Sequence, residues 1–370
     1  MVLSVIDMSD DGFENIRIPN MPRKGRGAVS NRDSRYSKTV REKIDDGWWP
    51  EDAPPLTTSV THETARSIIT HNRSPDIPFE LSINPYRGCE HGCIYCYARP
   101  GHAYMGLSPG MDFETRLFAK SDAAALLRKE LSETTYRPSP IALGANTDPY
   151  QPIEREWRTT RQILEVLRDC RHPVSITTKS ALIERDLDIL SAMARDHLAQ
   201  VQISITTLDK GLARIMEPRA TSPQRRLQTI RTLANAGVPV TVMVAPVIPV
   251  LTDAELETIL TQAAEHGAIR ANYIMLRLPL EVTELFREWL ETHFPLKAKH
   301  ILARIRDLHG GNLYDSRFGV RQSGSGIYAD LIRKRFLLAL KKTGLNTVEI
   351  RSNSELFRRP VDGPVQTSLF

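Results

Sequence analysis

Short apolar runs recur through the middle of this chain, and segments with helical spacing separate them. The runs that we expect to be buried strands lie at residues 81–84, 141–145, 174–178, 201–205, 238–246 and 273–276. Runs of this kind are typical of parallel strands that are covered on both faces. Because strands and helical segments alternate, the pattern predicts a barrel-like sheet with helices outside it.

The segments between the predicted strands carry helix signals. One apolar stripe at helical spacing consists of Ile163, Val166, Leu167 and Cys170. Ser222-Pro223 predicts a helix start, since serine caps a helix and proline suits its first turn. Thr252 and Glu255 form a capping box at another predicted start.

The pattern divides the chain into four parts. Residues 1–75 are polar and predict a partly disordered arm that drapes over the core. Residues 76–280 contain the strand–helix alternation. Residues 281–351 predict a helical extension with helices at 282–293, 298–308 and 328–343, and residues 352–370 predict a flexible tail.

Composition places the chain among ordinary enzymes rather than membrane or disulfide-rich proteins. It has 370 residues, of which 41% are hydrophobic and 25% charged. It has no uninterrupted apolar stretch long enough to span a membrane. The N-terminus lacks the features of a secretion signal, and three of the four cysteines are clustered, which predicts a reducing, cytoplasmic location.

The clustered cysteines are the strongest chemical signal. Cys89, Cys93 and Cys96 form a C-x3-C-x2-C run, and the only other cysteine, Cys170, lies far downstream. A [4Fe–4S] cube takes four thiolates when saturated. A cube held by three would therefore keep one iron open to a substrate or cofactor.

The alternative is a zinc knuckle completed by His91 or His102. Zinc sites usually pair cysteines and add a second pair at a distance. This chain has one C-x2-C pair only, so the spacing favours the iron–sulfur cube.

This cysteine run resembles the cluster-binding signature of the radical SAM enzymes. The resemblance implies a partial (β/α)6 barrel, a TIM-like barrel of the radical SAM type, followed here by the helical extension. It also implies that S-adenosylmethionine (SAM) binds the open iron, and that reductive cleavage yields a 5′-deoxyadenosyl radical. The electrons would come from a donor such as flavodoxin or ferredoxin.

Polar segments follow the predicted strands, and functional loops lie beyond the carboxyl ends of parallel strands. These segments resemble the spore photoproduct lyase-like branch of the superfamily. The resemblance implies that Tyr95, just before the third cysteine, lies beside the adenine of SAM. It also implies that Asn146, Thr147 or Asp148 contacts the SAM amino group, although Asp148-Pro149 also reads as a simple turn.

Further SAM contacts are implied by the same resemblance. Lys179 is similar to a lysine that faces the SAM carboxylate, and Ser204 to a polar residue near the ribose or methionine part. Val247 and Ile248 correspond to an apolar wall against adenine, and also read as core.

Glu217 and Arg219 resemble a charged pair near the polar groups of SAM. A solvent-exposed ion pair is the alternative interpretation.

The resemblance is incomplete at the hydrogen donor. Spore photoproduct lyase uses a further cysteine, whereas this chain has none after Cys170, which reads as a packed core residue. The catalytic residue is therefore unknown. Other candidate hydrogen donors, which the sequence does not rank, are Tyr150, Tyr273, Tyr314 and Tyr328.

Two features suggest a connection with DNA, one through charge and one through the sliding clamp. Residues 301–350 hold nine Lys/Arg against four Asp/Glu, which is compatible with nucleic acid or with a solvated helix face. The terminal Gln366-Thr367-Ser368-Leu369-Phe370 resembles the peptide by which bacterial DNA polymerases and repair proteins bind the sliding clamp. A frayed tail is the alternative.

The leading hypothesis is a radical SAM enzyme that acts on damaged or modified DNA in DNA repair. The alternatives are modification of RNA or protein, and a metal-cluster-bearing nucleic-acid-binding protein without turnover.

Overall fold

The computed structural model describes residues 6–8, 14–16, 21–37 and 56–360. Its strands are β1 (Ile6–Met8), β2 (Glu14–Ile16), β3 (Ser59–His62), β4 (Ile69–His71), β5 (Leu81–Ile83), β6 (Tyr86–Arg87), β7 (Arg116–Ala119), β8 (Ile141–Leu143), β9 (Val174–Thr178), β10 (Ala199–Ser204), β11 (Val240–Val247) and β12 (Arg270–Met275).

The α-helices are shorter between the early strands and longer toward the C-terminus. They are α1 (Asp112–Thr115), α2 (Ala123–Ser132), α3 (Glu154–Trp157), α4 (Thr159–Asp169), α5 (Leu187–Arg195), α6 (Lys210–Met216), α7 (Pro223–Asn235), α8 (Leu256–Glu265), α9 (Val282–His293), α10 (Ala298–Leu308) and α11 (Gly326–Thr343). Short 3₁₀ helices lie at Arg99–Met105, Ala181–Asp186 and Asp253–Glu255.

A seven-stranded sheet in the order β12-β11-β10-β9-β8-β5-β4 forms the centre of the fold. Neighbouring strands from β5 to β12 pair in parallel, and only β4 is antiparallel. The six parallel strands are the six that the apolar runs predict, with ends shifted by a few residues. This is the partial (β/α)6 barrel, and β4 is an added edge strand.

The two faces of the sheet differ in polarity. Residues such as Ile176 and Ile203 point from one face into the main core, where they meet Ile163 of α4. Alternate residues point to the other, concave face, and there the Gln202 amide donates a hydrogen bond of 3.2 Å to the Ser175 hydroxyl. Since alternate residues of a strand face opposite ways, apolar outer and polar inner surfaces follow from one sequence pattern.

The segments outside the barrel pack against it. α11 lies against α8, and α9 and α10 form a second core around Trp289. A smaller sheet in the order β3-β7-β6 lies beside the barrel. β3 and β4 fall in the predicted polar arm, so this part of the arm is more regular than the sequence pattern indicates. In the described part of the chain, no helix is long and apolar enough to cross a membrane.

Candidate functional site

The three clustered cysteines lie on a loop of residues 88–97, here called the cysteine loop, between β6 and the 3₁₀ helix Arg99–Met105. Cys89 and Cys93 are buried, Cys96 is partly exposed, and all three are free thiols. Burial raises the pKa of the Cys93 thiol to about 12 and that of Cys89 well above its ordinary value. Without a metal the sulfurs of Cys89 and Cys93 therefore stay protonated, and iron would have to replace these protons.

Among the described residues, no three His, Cys, Asp or Glu side chains are gathered as ligands of a single metal ion. A zinc site needs its ligands around one point. A [4Fe–4S] cube is different, because its cysteines bind separate iron atoms at the corners. The donor set of three cysteine thiols is the set that such a cube takes with one iron left open.

A buried ion pair supports the cysteine loop from below. The Arg99 guanidinium lies 2.5 Å from the Glu114 carboxylate, and both side chains are fully buried. Arg99 also donates hydrogen bonds to the backbone carbonyl oxygens of Cys93 at 3.0 Å and Gly92 at 3.1 Å. Two hydrogen bonds from one planar guanidinium therefore hold the cysteine loop in place, while Glu114 neutralises the charge.

The N-terminal segment Gly25-Arg26-Gly27 also supports the cysteine loop. Glu114 accepts hydrogen bonds of 2.9 Å from the backbone amides of Gly27 and Ala28. A Cβ atom on Gly27 would lie 1.8 Å from the carbonyl oxygen of Gly92, so only glycine fits there. Arg26 is buried and donates hydrogen bonds to the carbonyl oxygens of Leu56 and Glu114.

A second buried ion pair lies beneath Tyr95. Glu217 pairs with Arg226 and accepts a hydrogen bond from the Tyr95 hydroxyl. Burial alone would raise the pKa of Glu217, but Arg226 and Lys179 outweigh it and lower that pKa to about 2. Glu217 therefore stays ionised and fixes the hydroxyl end of Tyr95 in the barrel mouth.

The expected pairing of Glu217 with Arg219 is wrong. Arg219 lies 3.2 Å from Glu90, and its backbone amide bonds to the His91 carbonyl oxygen at 3.3 Å. The cation that neutralises Glu217 is Arg226, which lies on the inward face of α7. Residues three and four apart lie on one face of a helix, so Arg226 shares the buried face of α7 with Pro223 and Ile230. Arg219 lies before the start of this helix.

The loop after β8 holds the three candidates for the SAM amino group in different environments. Asn146 is exposed, and Thr147 is buried with its hydroxyl 2.8 Å from the Tyr86 carbonyl oxygen. Asp148 accepts hydrogen bonds from the Thr178 hydroxyl at 2.7 Å and the Lys179 backbone amide at 2.8 Å. Asp148 thus ties the ends of β8 and β9 together, beyond a simple Asp-Pro turn.

The Lys179 side chain reaches the cysteine loop from the end of β9. Its amine lies 5.8 Å from the centroid of the Tyr95 ring. Burial alone would lower the pKa of Lys179, but Cys93 and Glu217 outweigh it and raise that pKa. Within the described residues the amine has no hydrogen-bonding or ion-pair partner, so nearby carboxylates act on this cation in the barrel mouth only through space.

The remaining predicted SAM residues also lie at the carboxyl ends of the strands. Ser204 ends β10 and is buried, and its carbonyl oxygen accepts a hydrogen bond from Arg226 at 3.0 Å. Ile248 packs in the same apolar cluster as Cys93 and Tyr95. Val247 packs in the main core instead.

Three of the four candidate hydrogen donors have contacts elsewhere. The Tyr150 hydroxyl donates to Asp186 at 3.0 Å, and the Tyr328 hydroxyl to Asp253 at 2.5 Å. Tyr273 packs against Phe336 of α11. Cys170 is buried in the main core, as the sequence predicts. The clamp-like peptide at residues 366–370 lies outside the described residues.

Sequence reasoning missed a further contact at the barrel mouth. The Tyr97 hydroxyl donates to the Ala145 carbonyl oxygen, and the Arg277 guanidinium carbon lies 4.1 Å from the Tyr97 ring centroid. Tyr97 therefore connects the ends of β8 and β12, which are separated by three strands in the sheet. In the sequence, the only local signal for this role of Tyr97 was its position next to the third cysteine, Cys96.

Comparison with known proteins finds similar sequences and folds. The model of the radical SAM superfamily matches residues 83–263. An uncharacterised protein of Mycobacterium tuberculosis is 38% identical over 235 residues, which cover 63% of this chain and 68% of that protein. The radical SAM Nalpha-GlyT isomerase of Pseudomonas phage M6 is 25% identical over 171 residues, 46% of this chain and 33% of that protein.

Solved structures show the same fold. A mutant of spore photoproduct lyase superposes with a TM-score of 0.54 at 16% identity, covering 77% of this chain and 79% of the lyase. Spore photoproduct lyase complexed with a dinucleoside spore photoproduct superposes with a TM-score of 0.51 at 15% identity and the same coverage.

Proposed function

This chain belongs to the radical SAM superfamily, and from that premise we propose that it is an enzyme acting on damaged or modified DNA. Enzymes of this superfamily use a [4Fe–4S] cluster and SAM. When bound, these cofactors supply a one-electron cleavage of the sulfonium and a 5′-deoxyadenosyl radical for hydrogen abstraction. The protein's own residues hold, orient and shield these groups.

We assign the cluster to Cys89, Cys93 and Cys96, and the SAM carboxylate to Lys179. The observation that carries this assignment is the Lys179 amine, which is aimed at the cysteine loop without a carboxylate partner among the described residues. A charge-assisted hydrogen bond to the SAM carboxylate would satisfy it. Glu217 and Arg226 act as positioning residues, since they hold Tyr95 beside that amine.

The DNA substrate is supported by a protein of similar fold and by charge. That protein is a spore photoproduct lyase solved with a dinucleoside spore photoproduct. On α11, Lys334, Lys341 and Lys342 are exposed and make no ion pair within the described residues. Such a face suits phosphate groups.

The cofactor assignment is tested on anaerobically reconstituted protein with SAM and dithionite, by assay of 5′-deoxyadenosine. We expect product from the native chain and none from Cys93→Ala. Lys179→Met should keep the cluster absorption but bind SAM at least tenfold more weakly in equilibrium dialysis, because a charge-assisted bond is lost. Unchanged SAM affinity in Lys179→Met would remove the lysine from the site.

The DNA assignment is tested by adding ultraviolet-irradiated and undamaged DNA to the same assay. We expect irradiated DNA to raise the rate of product formation. Deleting residues 365–370 should abolish capture by the bacterial sliding clamp and leave SAM cleavage intact. No binding to DNA and none to the clamp would refute the DNA substrate and favour RNA or protein.

A further inference from the structure

Two tyrosines form an exposed pair beside the cysteine loop. Tyr36 is 57% exposed and Tyr104 is 72% exposed. Their ring centroids are 5.4 Å apart with an angle of 36° between the ring planes. Large aromatic side chains at this exposure are unusual on a protein surface, where they commonly mark an interaction site.

The pair is held in place rather than loosely displayed. The Arg35 guanidinium carbon lies 4.7 Å from the Tyr36 centroid and 5.0 Å from the Tyr104 centroid. Arg35 is also fixed by Glu281 at 2.5 Å, which balances its charge. Ser34 is buried and donates a hydrogen bond of 2.8 Å to the Ala103 carbonyl oxygen, which pins the segment to the 3₁₀ helix that carries Tyr104.

A cavity of about 420 Å³ opens on the other side of that 3₁₀ helix. Gly101, His102 and Met105 of the helix line it, together with Gly88 of the cysteine loop. Met105 lines the cavity and directly follows Tyr104, so adjacent residues of one 3₁₀ helix carry the two features. A strand of several nucleotides that stacks on the rings would reach the cavity by passing round this helix.

The charged lining of the cavity is cationic. Arg87 and Lys120 line it, and no carboxylate does so among the described residues. Arg87 is paired with Glu63 at 2.7 Å, whereas the Lys120 amine has no hydrogen-bonding partner in the described part of the chain. Burial lowers the pKa of Lys120. An anion in the cavity would stabilise the charged amine.

We propose that the tyrosine pair and the cavity form a binding site for unpaired nucleotides of single-stranded DNA. Bases stack on Tyr36 and Tyr104, and the Lys120 amine binds a phosphate in the cavity. Stacking on aromatic rings and a cationic groove for the backbone are the general means of holding single strands. In a duplex the faces of the bases are stacked on one another, so they cannot stack on Tyr36 and Tyr104. This inference rests on the proposed DNA substrate and specifies where the strand enters.

The test is fluorescence anisotropy with a labelled single-stranded oligonucleotide and its duplex, over a series of salt concentrations. The native reconstituted protein should bind the single strand more tightly than the duplex. Tyr36→Ala/Tyr104→Ala should weaken single-strand binding at least tenfold with an unchanged salt dependence. Lys120→Gln should lower the slope of log K against log salt by about 0.7, the value for one lost phosphate contact.

Control variants separate these effects from general disturbance. Tyr36→Phe/Tyr104→Phe keeps both rings and should bind like the native protein. Leu296→Ala removes a side chain that is 98% exposed on another surface, and should also have no effect. Equal affinity of the native protein and Tyr36→Ala/Tyr104→Ala for the single strand would overturn the proposal, as would equal binding of single strand and duplex.

The same preparations are assayed for 5′-deoxyadenosine to keep the two proposals apart. If the expected binding results are not obtained but SAM cleavage is intact and depends on Cys93, the nucleotide-binding site is overturned and the radical SAM assignment stands. The expected pattern without SAM cleavage supports the site and removes the proposed catalytic function.

Discussion

The buried pair of Glu217 and Arg226 gives the sharpest test of the site's architecture. Each side chain is 1% exposed. Arg226 also donates hydrogen bonds to the carbonyl oxygens of Thr221 at 2.7 Å and Ser204 at 3.0 Å. Arg226→Met removes these donors and leaves the Glu217 carboxylate buried without its cation.

The magnitude follows from that uncompensated charge. Removing one partner of a buried ion pair costs about 3–5 kcal/mol. Unfolding entropy of about 2.1 cal/mol/K per residue gives roughly 0.8 kcal/mol/K for 370 residues that unfold together. We therefore expect Arg226→Met to lower Tm by about 4–6 °C.

The neighbouring arginine supplies a matched control. Arg225 pairs with Glu184 at 2.6 Å, but the two side chains are 41% and 19% exposed. Exposed ion pairs contribute about 0–1 kcal/mol, so Arg225→Met should lower Tm by about 1 °C or less. Both variants change an arginine to methionine in the same helix, α7, so helix propensity cancels in the comparison.

The assay is differential scanning calorimetry of the anaerobic, reconstituted proteins. Glu217→Gln/Arg226→Met should recover part of the lost stability, because no buried carboxylate then lacks a cation. Equal Tm values for Arg226→Met and Arg225→Met would refute the reasoning. So would a double variant that loses the full sum of both single effects.

Three further outcomes are expected. Gly27→Ala should reduce iron incorporation, because its Cβ would lie 1.8 Å from a carbonyl oxygen of the cysteine loop. The control is Gly101→Ala, whose Cβ would meet no atom within 4 Å. An iron assay should find normal iron content in the control and less in Gly27→Ala. Lys179→Arg should bind SAM more tightly than Lys179→Met in dialysis, since it keeps the charge, and equal affinities would contradict an ionic role. The folded-state pKa values of Asp148 and Glu217 are lowered to about 2, so their stabilising effect is present above pH about 4.5 and is lost as pH falls toward 2. Acid titration of unfolding by circular dichroism checks this, and a Glu217→Gln variant should lose less stability across that window.

Much of the architecture was predictable because its signals are local. Each parallel strand is a short apolar run, and the six runs are the six parallel strands of the sheet. α9 and α10 begin and end at the expected residues because apolar residues at helical spacing mark them. β3 and β4 escaped prediction, since they are short edge segments with mostly exposed side chains and little apolar pattern.

Errors in the candidate site came from contacts that are remote in sequence. The expected Glu217–Arg219 pair joined two close neighbours, whereas the real partner faces inward from α7. Arg226 carried one readable signal, because it shares the buried face of α7 with Leu227 and Ile230. Glu114 carried none, since its partners Gly27 and Arg99 are recognisable only when three separate segments meet.

The sequence by itself determined the cofactor chemistry and the fold class. The C-x3-C-x2-C spacing favours an iron–sulfur cube and carries the resemblance to the radical SAM signature, and the strand pattern can be read along the chain. Tertiary structure alone decided which charges are paired, which amine faces the cysteine loop and which tyrosines meet at the surface. The physical reason is that desolvation and Coulombic attraction depend on distance in space, and folding brings together residues as far apart as Gly27 and Glu114.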